Sequence, residues 1–174
     1  IVWSKVYKNV VNTGLAIIEN NDSTIMVFGN MWLGYINGYN IMSHFLMKTN
    51  FNGNIVWIRR IYDGNDNDSI IESGGSSIFA ASDKGYVYVG AVNLPGYNFG
   101  VPFISKTDSV GEITLTKRAG VESLDMIKLI PFPGDPNRYI ICSNTREYGK
   151  GNDDVFIFST DSLLSSTCKS FDFN

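Results

Sequence analysis

The chain has 174 residues, 44% of them hydrophobic and 13% aromatic, which suits one folded domain with a packed core. Lys and Arg number 14 against 17 Asp and Glu, for a formal charge of -3, and no basic run is present to neutralise a phosphate backbone, which argues against a nucleic-acid partner. The longest apolar runs, residues 87–92 and 129–132, are far too short for a membrane span.

In chain order the sequence reads as twelve short strands. Residues 1–7, 15–19, 24–29 and 43–49 are expected as the first four, with Asn20-Asn21-Asp22-Ser23 as a hairpin turn. Residues 55–62, 77–82, 86–92 and 102–107 follow, with the tight turn Asp83-Lys84-Gly85. Residues 113–118, 126–132, 138–143 and 154–160 complete the set, with Pro133 to Asn137 as the last hairpin. Residues 123–130 also fit a Ser-capped helical turn, but the aligned segments elsewhere read as strands.

One stretch organises this series. Lys48-Thr49-Asn50-Phe51-Asn52-Gly53-Asn54-Ile55-Val56-Trp57 returns as residues 106–115 and, more faintly, as residues 159–168. Trp3 precedes Trp57 by 54 positions, Trp57 precedes Leu115 by 58, and Leu115 precedes Cys168 by 53. A period near fifty, with four short strands per period, predicts an all-β protein built as a β-propeller of four-stranded antiparallel blades, about three of them present. The expected divisions are residues 1–54, 55–112 and 113–165, with 166–174 beginning another unit. Each fourth strand carries Phe-x-x-Lys/Ser-Thr, at Phe45, Phe103 and Phe156, and each third strand has a small residue near its end, Gly29, Gly90 or Ser143. A larger side chain there is expected to collide with a neighbouring sheet.

The pattern Trp-x-Lys/Arg, then Gly-Tyr-Val-Tyr-Val-Gly, then Phe-Ile-x-Lys-Thr-Asp-x-x-Gly resembles the blade repeats of exported bacterial β-propeller proteins, many of which carry a sorting domain for type IX secretion. The resemblance covers nearly the whole chain and implies a secreted, periplasmic or cell-surface location. It is specific for the repeat rather than for an activity, because such blades serve adhesins, scaffolds and enzymes alike. The Asp-x-x-Gly-x-x-x-Trp link is also similar to that of quinoprotein-like propellers, from which the third copy departs with Leu164 for Gly and Cys168 for Trp.

Three blades leave apolar sheet faces open, since propellers close with about four to eight. The chain opens at Ile1 without an initiator Met and reads as a segment of something longer, so a parent chain is the expected source of the missing blades, ahead of another subunit. Cys142 and Cys168 are compatible with one disulfide or with two thiols.

Candidate binding residues gather where long irregular loops are expected. Trp32, Tyr35 and Tyr39 fall in residues 31–42, Tyr97 and Phe99 in residues 94–101, and Tyr148 in residues 145–153. Rings beside Asn and Asp suit a protein partner or stack on a sugar, and equally pin loops to the scaffold. Asp63, Asp66 and Asp68 form an oxygen-rich cluster open to calcium; its spacing is not that of an EF-hand, and a solvated turn is the preferred reading. No other cofactor is indicated. His44 is the single histidine and has no Ser, Cys or carboxylate constellation beside it in the sequence, so no catalytic residue is assigned. The expected function is a non-catalytic scaffold or protein-interaction module; the alternative is a carbohydrate-binding module or part of a polysaccharide-processing enzyme.

Overall fold

The computed structural model describes residues 3–8, 13–36, 39–61, 75–92, 100–118, 128–145 and 154–166. Among them there is no helix. The strands are β1 (Thr13–Asn20), β2 (Thr24–Ile36), β3 (Tyr39–Asn50), β4 (Ile55–Ile61), β5 (Gly75–Ala80), β6 (Tyr86–Val92), β7 (Val101–Thr107), β8 (Ile113–Arg118), β9 (Lys128–Phe132), β10 (Asp135–Thr145) and β11 (Asp154–Thr160). They form three antiparallel meanders, β1-β2-β3-β4, β5-β6-β7-β8 and β9-β10-β11.

The sheets stack face to face, with the second between the other two. Alternation along the strands supplies both of its faces. Tyr86, Tyr88 and Phe103 point to the first sheet and close on Met26, Phe28 and Leu46, while Val87, Val89 and Ile104 point to the third and close on Leu129, Tyr139 and Ile141. The first strands β1, β5 and β9 lie side by side, so the stack is tightest along that edge.

The recurring ten-residue stretch is one turn made three times. Asn50 Oδ1 accepts the amides of Asn52 and Asn54, Asp108 Oδ1 those of Val110 and Glu112, and Asp161 Oδ1 those of Leu163 and Ser165. Each turn is closed by the same pair of backbone bonds, in the second copy Asp108 N–H to Glu112 O and Gly111 N–H to Asp108 O. Its fourth residue is left-handed in every copy: Gly53 at φ 70°, Gly111 at 85° and Leu164 at 57°. The register slips by one residue just before it, between Lys48 and Thr49 and between Lys106 and Thr107, as expected of a bulged hairpin.

That geometry corrects the expected role of the stretch as a connection between blades. A hairpin this tight obliges the strands on either side to pair with each other, so Ile55–Ile61 and Ile113–Arg118 complete the sheet before them instead of opening the next. The repeat of the sequence and the sheet of the fold are offset by one strand. Residues 1–7, expected as a strand, show none over the described residues 3–7. Trp3 and Lys5 lie instead over Gly53, and the Tyr7 hydroxyl donates to Gly53 O at 2.7 Å.

The small residues expected near the ends of strands, which fall on β2, β6 and β10, the second strand of each sheet, have a common cause. Gly29 pairs with Phe45, Gly90 with Phe103 and Ser143 with Phe156. A Cβ at Gly90 would stand 2.8 Å from the Phe103 ring and 3.2 Å from His44 Nε2, so both its own sheet and the neighbouring one exclude a side chain there.

Candidate functional site

Antiparallel meanders send alternate connections to opposite ends. Tight turns at residues 20–24, 50–55, 80–86, 107–113 and 132–135 occupy one end, while Ile36, Ile61, Val92, Arg118 and Thr145 mark strand ends at the other. Of the sequence-predicted binding residues, Trp32, Tyr35 and Tyr39 belong to that second end.

Residues 31–42 are not the irregular loop expected. Among the described residues β1 reaches only to Asn30 of β2 and β4 only to His44 of β3, and residues 31–36 and 39–43 run on beyond them as a paired two-stranded arm. The pairing of the two strands runs out to Ile36 and Tyr39, and Asn37-Gly38 stands between them in the sequence. Asn-Gly between β-prone residues is the strongest short hairpin signal in a sequence, and it would have revealed the arm. Trp32 is 48% exposed on this arm, beside exposed Leu33. Tyr35 pairs with Asn40, which places Tyr35 and Tyr39 on the two strands of the arm near its tip. Tyr97, Phe99 and Tyr148, and the acidic cluster Asp63, Asp66 and Asp68, lie outside the described residues. Among the described residues no group of three or more potential metal ligands converges.

His44 sits at the root of the arm, between the first and second sheets. Its ring is 5.3 Å from both Phe28 and Phe103, and Nδ1 is 2.8 Å from Asn30 Oδ1. Among the described residues Nε2 makes no well-formed hydrogen bond. Burial pushes the imidazole pKa down to about 4, opposed by the backbone of Ala91. The ring is held between two aromatics, one from each sheet, and so ties the first sheet to the second.

At the opposite end each internal junction carries a polar corner. Lys48 Nζ bonds Asp22 and Lys106 Nζ bonds Asp83, each at 2.7 Å, which holds both carboxyls below the usual range. Burial raises the pKa of Tyr86 in the second sheet, beside Lys48 and Asp22, and of Tyr139 in the third, where the charge of Asp83 adds to it. Further ties across the junctions are Arg59 to Glu112, Ser82 to Asn137 and Ser77 to the Leu129 carbonyl.

Position-by-position comparison of the sheets finds two surfaces that sequence reasoning anticipated in kind but did not locate. Ile17, Ile78 and Leu129 hold one register position on the first strands and are 67%, 4% and 4% exposed. Leu46, Ile104 and Ile157 hold one position on the third strands and are 0%, 2% and 60% exposed. At these two positions the side chain is buried where a sheet is stacked against it and open at one end of the stack, whereas Phe45 and Met47, which also point away from the second sheet, are buried. The leading face, on the first sheet, has a groove of about 280 Å³ lined by Ile17, Ile18, Glu19, Ile25 and Phe51. The trailing face, on the third, presents Ile130, Val155 and Ile157. Cys142 lies half-buried among them on β10, and Cys168 lies outside the described residues.

No protein-family model and no curated protein matches this chain. None of the described residues forms a helix long and apolar enough to cross a membrane.

Proposed function

We propose that the chain is a run of β-propeller blades serving as a non-catalytic scaffold, in an exported or cell-surface bacterial protein, that presents a protein-recognition end. The observation that carries the reading is the exposure series Leu46, Ile104 and Ile157, in which one position is buried at every internal junction and open on the trailing face. A surface built to the pattern of an internal junction is a surface meant to receive another blade. The location follows from the likeness of the repeats to exported bacterial blades.

Recognition is assigned to the end bearing the arm, because an exposed Trp32 and Leu33 on a projecting hairpin form a rigid apolar contact. The alternative, a carbohydrate site, draws on the same Trp32, whose face suits stacking on a sugar.

A photo-crosslinking residue placed at position 32, and at position 109 on the opposite end, tests both. Protein adducts from bacterial envelope fractions that form at 32 and not at 109 are the expected result. Equal labelling at the two positions would remove the recognition end. Glycan-array binding abolished by Trp32→Ala would transfer the assignment to a sugar.

A further inference from the structure

Charge is unevenly distributed over this chain, and the fold gathers cations that the sequence scatters. Residues 3–8, β4 and β8 hold six cations, Lys5, Lys8, Arg59, Arg60, Lys117 and Arg118, and no carboxylate. The rest of the chain has the other 8 of the 14 Lys and Arg against all 17 Asp and Glu. No two of the six stand together in the sequence except Arg59-Arg60 and Lys117-Arg118, so no basic run marks the set.

The register repeats their placement. Arg59 pairs with Leu46 and Lys117 with Ile104, Arg60 with Phe45 and Arg118 with Phe103, so β4 and β8 carry their cations at the same two positions. These strands also follow one another in space. Trp57 and Arg59 lie against Gly111, in the turn leading into β8, and Trp3 and Lys5 lie in the same way against Gly53, in the turn leading into β4. Residues 3–8, β4 and β8 are therefore successive steps along one outer edge of the stack, with stacked sheets about 10 Å apart. Lys5, Lys8, Arg59 and Arg60 are exposed there, and Lys117 and Arg118 are half-buried. Arg59 meets Glu112 at 3.1 Å, whereas Lys5 donates to the neutral amide of Asn54. Charge on an edge strand guards against edge-to-edge pairing, but either sign serves that purpose, and here all six charges are positive.

We propose that this outer edge binds an acidic polysaccharide, a carboxylated or sulfated sugar chain laid across successive sheets. Cations repeating at about 10 Å suit a thin polymer with a repeating charge, because a small anion would touch a single step. Arg forks and Lys point charges both pair with carboxylate and sulfate oxygens. The excess of carboxylates over the rest of the chain would repel a broad polyanion, such as duplex nucleic acid or an anionic bilayer, more than a narrow one. The band depends on how the sheets stack and is independent of the recognition end assigned to the arm.

Retention of the purified chain on immobilised heparin and on polygalacturonate, with neutral dextran as the blank, tests this. The wild type is expected to bind both acidic polymers despite its formal charge of -3, with affinity falling on the order of a hundredfold between about 50 and about 200 mM salt. Lys8→Glu and Lys117→Glu should each weaken binding about tenfold with the β-type circular dichroism retained, while Lys84→Glu, an equal change of charge in the turn ahead of β6, binds as the wild type does. A wild type that passes through both columns, or an equal loss in Lys84→Glu, would overturn the band. Tighter binding of duplex DNA or of phosphatidylglycerol vesicles than of either polysaccharide would overturn the assignment to a sugar polymer. Retention lost in Trp32→Ala would move the polysaccharide from the outer edge to the arm.

Discussion

The ring of Trp57 lies over Gly111 so closely that a Cβ on Gly111 would stand 2.7 Å from Cη2. Trp57 ends the repeated stretch in one copy and Gly111 is the left-handed residue of the next, so each unit is capped by the unit before it. Position 111 therefore combines two demands, a positive φ and an absent side chain. Gly134 meets only the first, since a Cβ there would touch nothing within 4 Å. Gly111→Ala is expected to cost about 3 kcal/mol, from left-handed backbone and overpacking together, against about 1 kcal/mol for Gly134→Ala. Urea unfolding of the two variants measures the difference.

The third copy solves the same packing problem by exchange. Leu164 takes the glycine position at φ 57° and is fully buried, and Leu115, in the place of Trp57, packs on the cluster that holds it. A large residue over a small one has become two of middle size. Leu164→Gly relieves about 1 kcal/mol of backbone strain and loses a buried leucine worth about 2–5 kcal/mol, so it should destabilise. Adding Leu115→Trp should recover at least about 1 kcal/mol, and a double-mutant cycle showing no coupling would contradict the exchange.

His44 makes stability depend on pH. Its folded pKa, about 4, lies below the unfolded value of 6.5, so between them the unfolded chain binds the extra proton. The contribution is fully present above pH 6.5 and is lost as pH falls to 4. The difference amounts to about 3 kcal/mol. Denaturant unfolding at steps across that window should show the fall in the wild type and a much flatter profile in His44→Gln. An equal slope in both would place the titrating group elsewhere.

Ile104 and Ile157 share one register position, with opposite surroundings. Ile104→Asp forces a carboxylate into the junction of the second and third sheets and should abolish folding, at a cost of several kcal/mol. Ile157→Asp adds a charge to an exposed surface and should leave the circular dichroism of the chain unchanged. Unfolding by both substitutions would mean that the trailing face is already covered within the chain.

By itself the sequence determined the strands and their period. The eleven strands found each overlap an expected one, because alternation of side chains and the Gly, Asn and Asp turns are local properties that hydrogen bonding between neighbours in the chain is enough to realise. The turn at Asp161 was legible only faintly, since Leu164 hides the glycine that marks the other copies, yet its carboxylate makes the same two bonds. The arm has its sequence signal in the dipeptide Asn37-Gly38 between β-prone residues.

Which strands share a sheet was decided only in three dimensions. The stretch from Lys48 to Trp57 looks alike whether it links two sheets or closes a hairpin; the bulge at Thr49 and the left-handed Gly53 settle it, because they bring β3 and β4 within hydrogen-bonding distance. The same holds for the open faces. Leu46, Ile104 and Ile157 are all aliphatic in the sequence, and burial is a property of what is stacked against a residue rather than of the residue, so only tertiary structure separates the two that are covered from the one that is not.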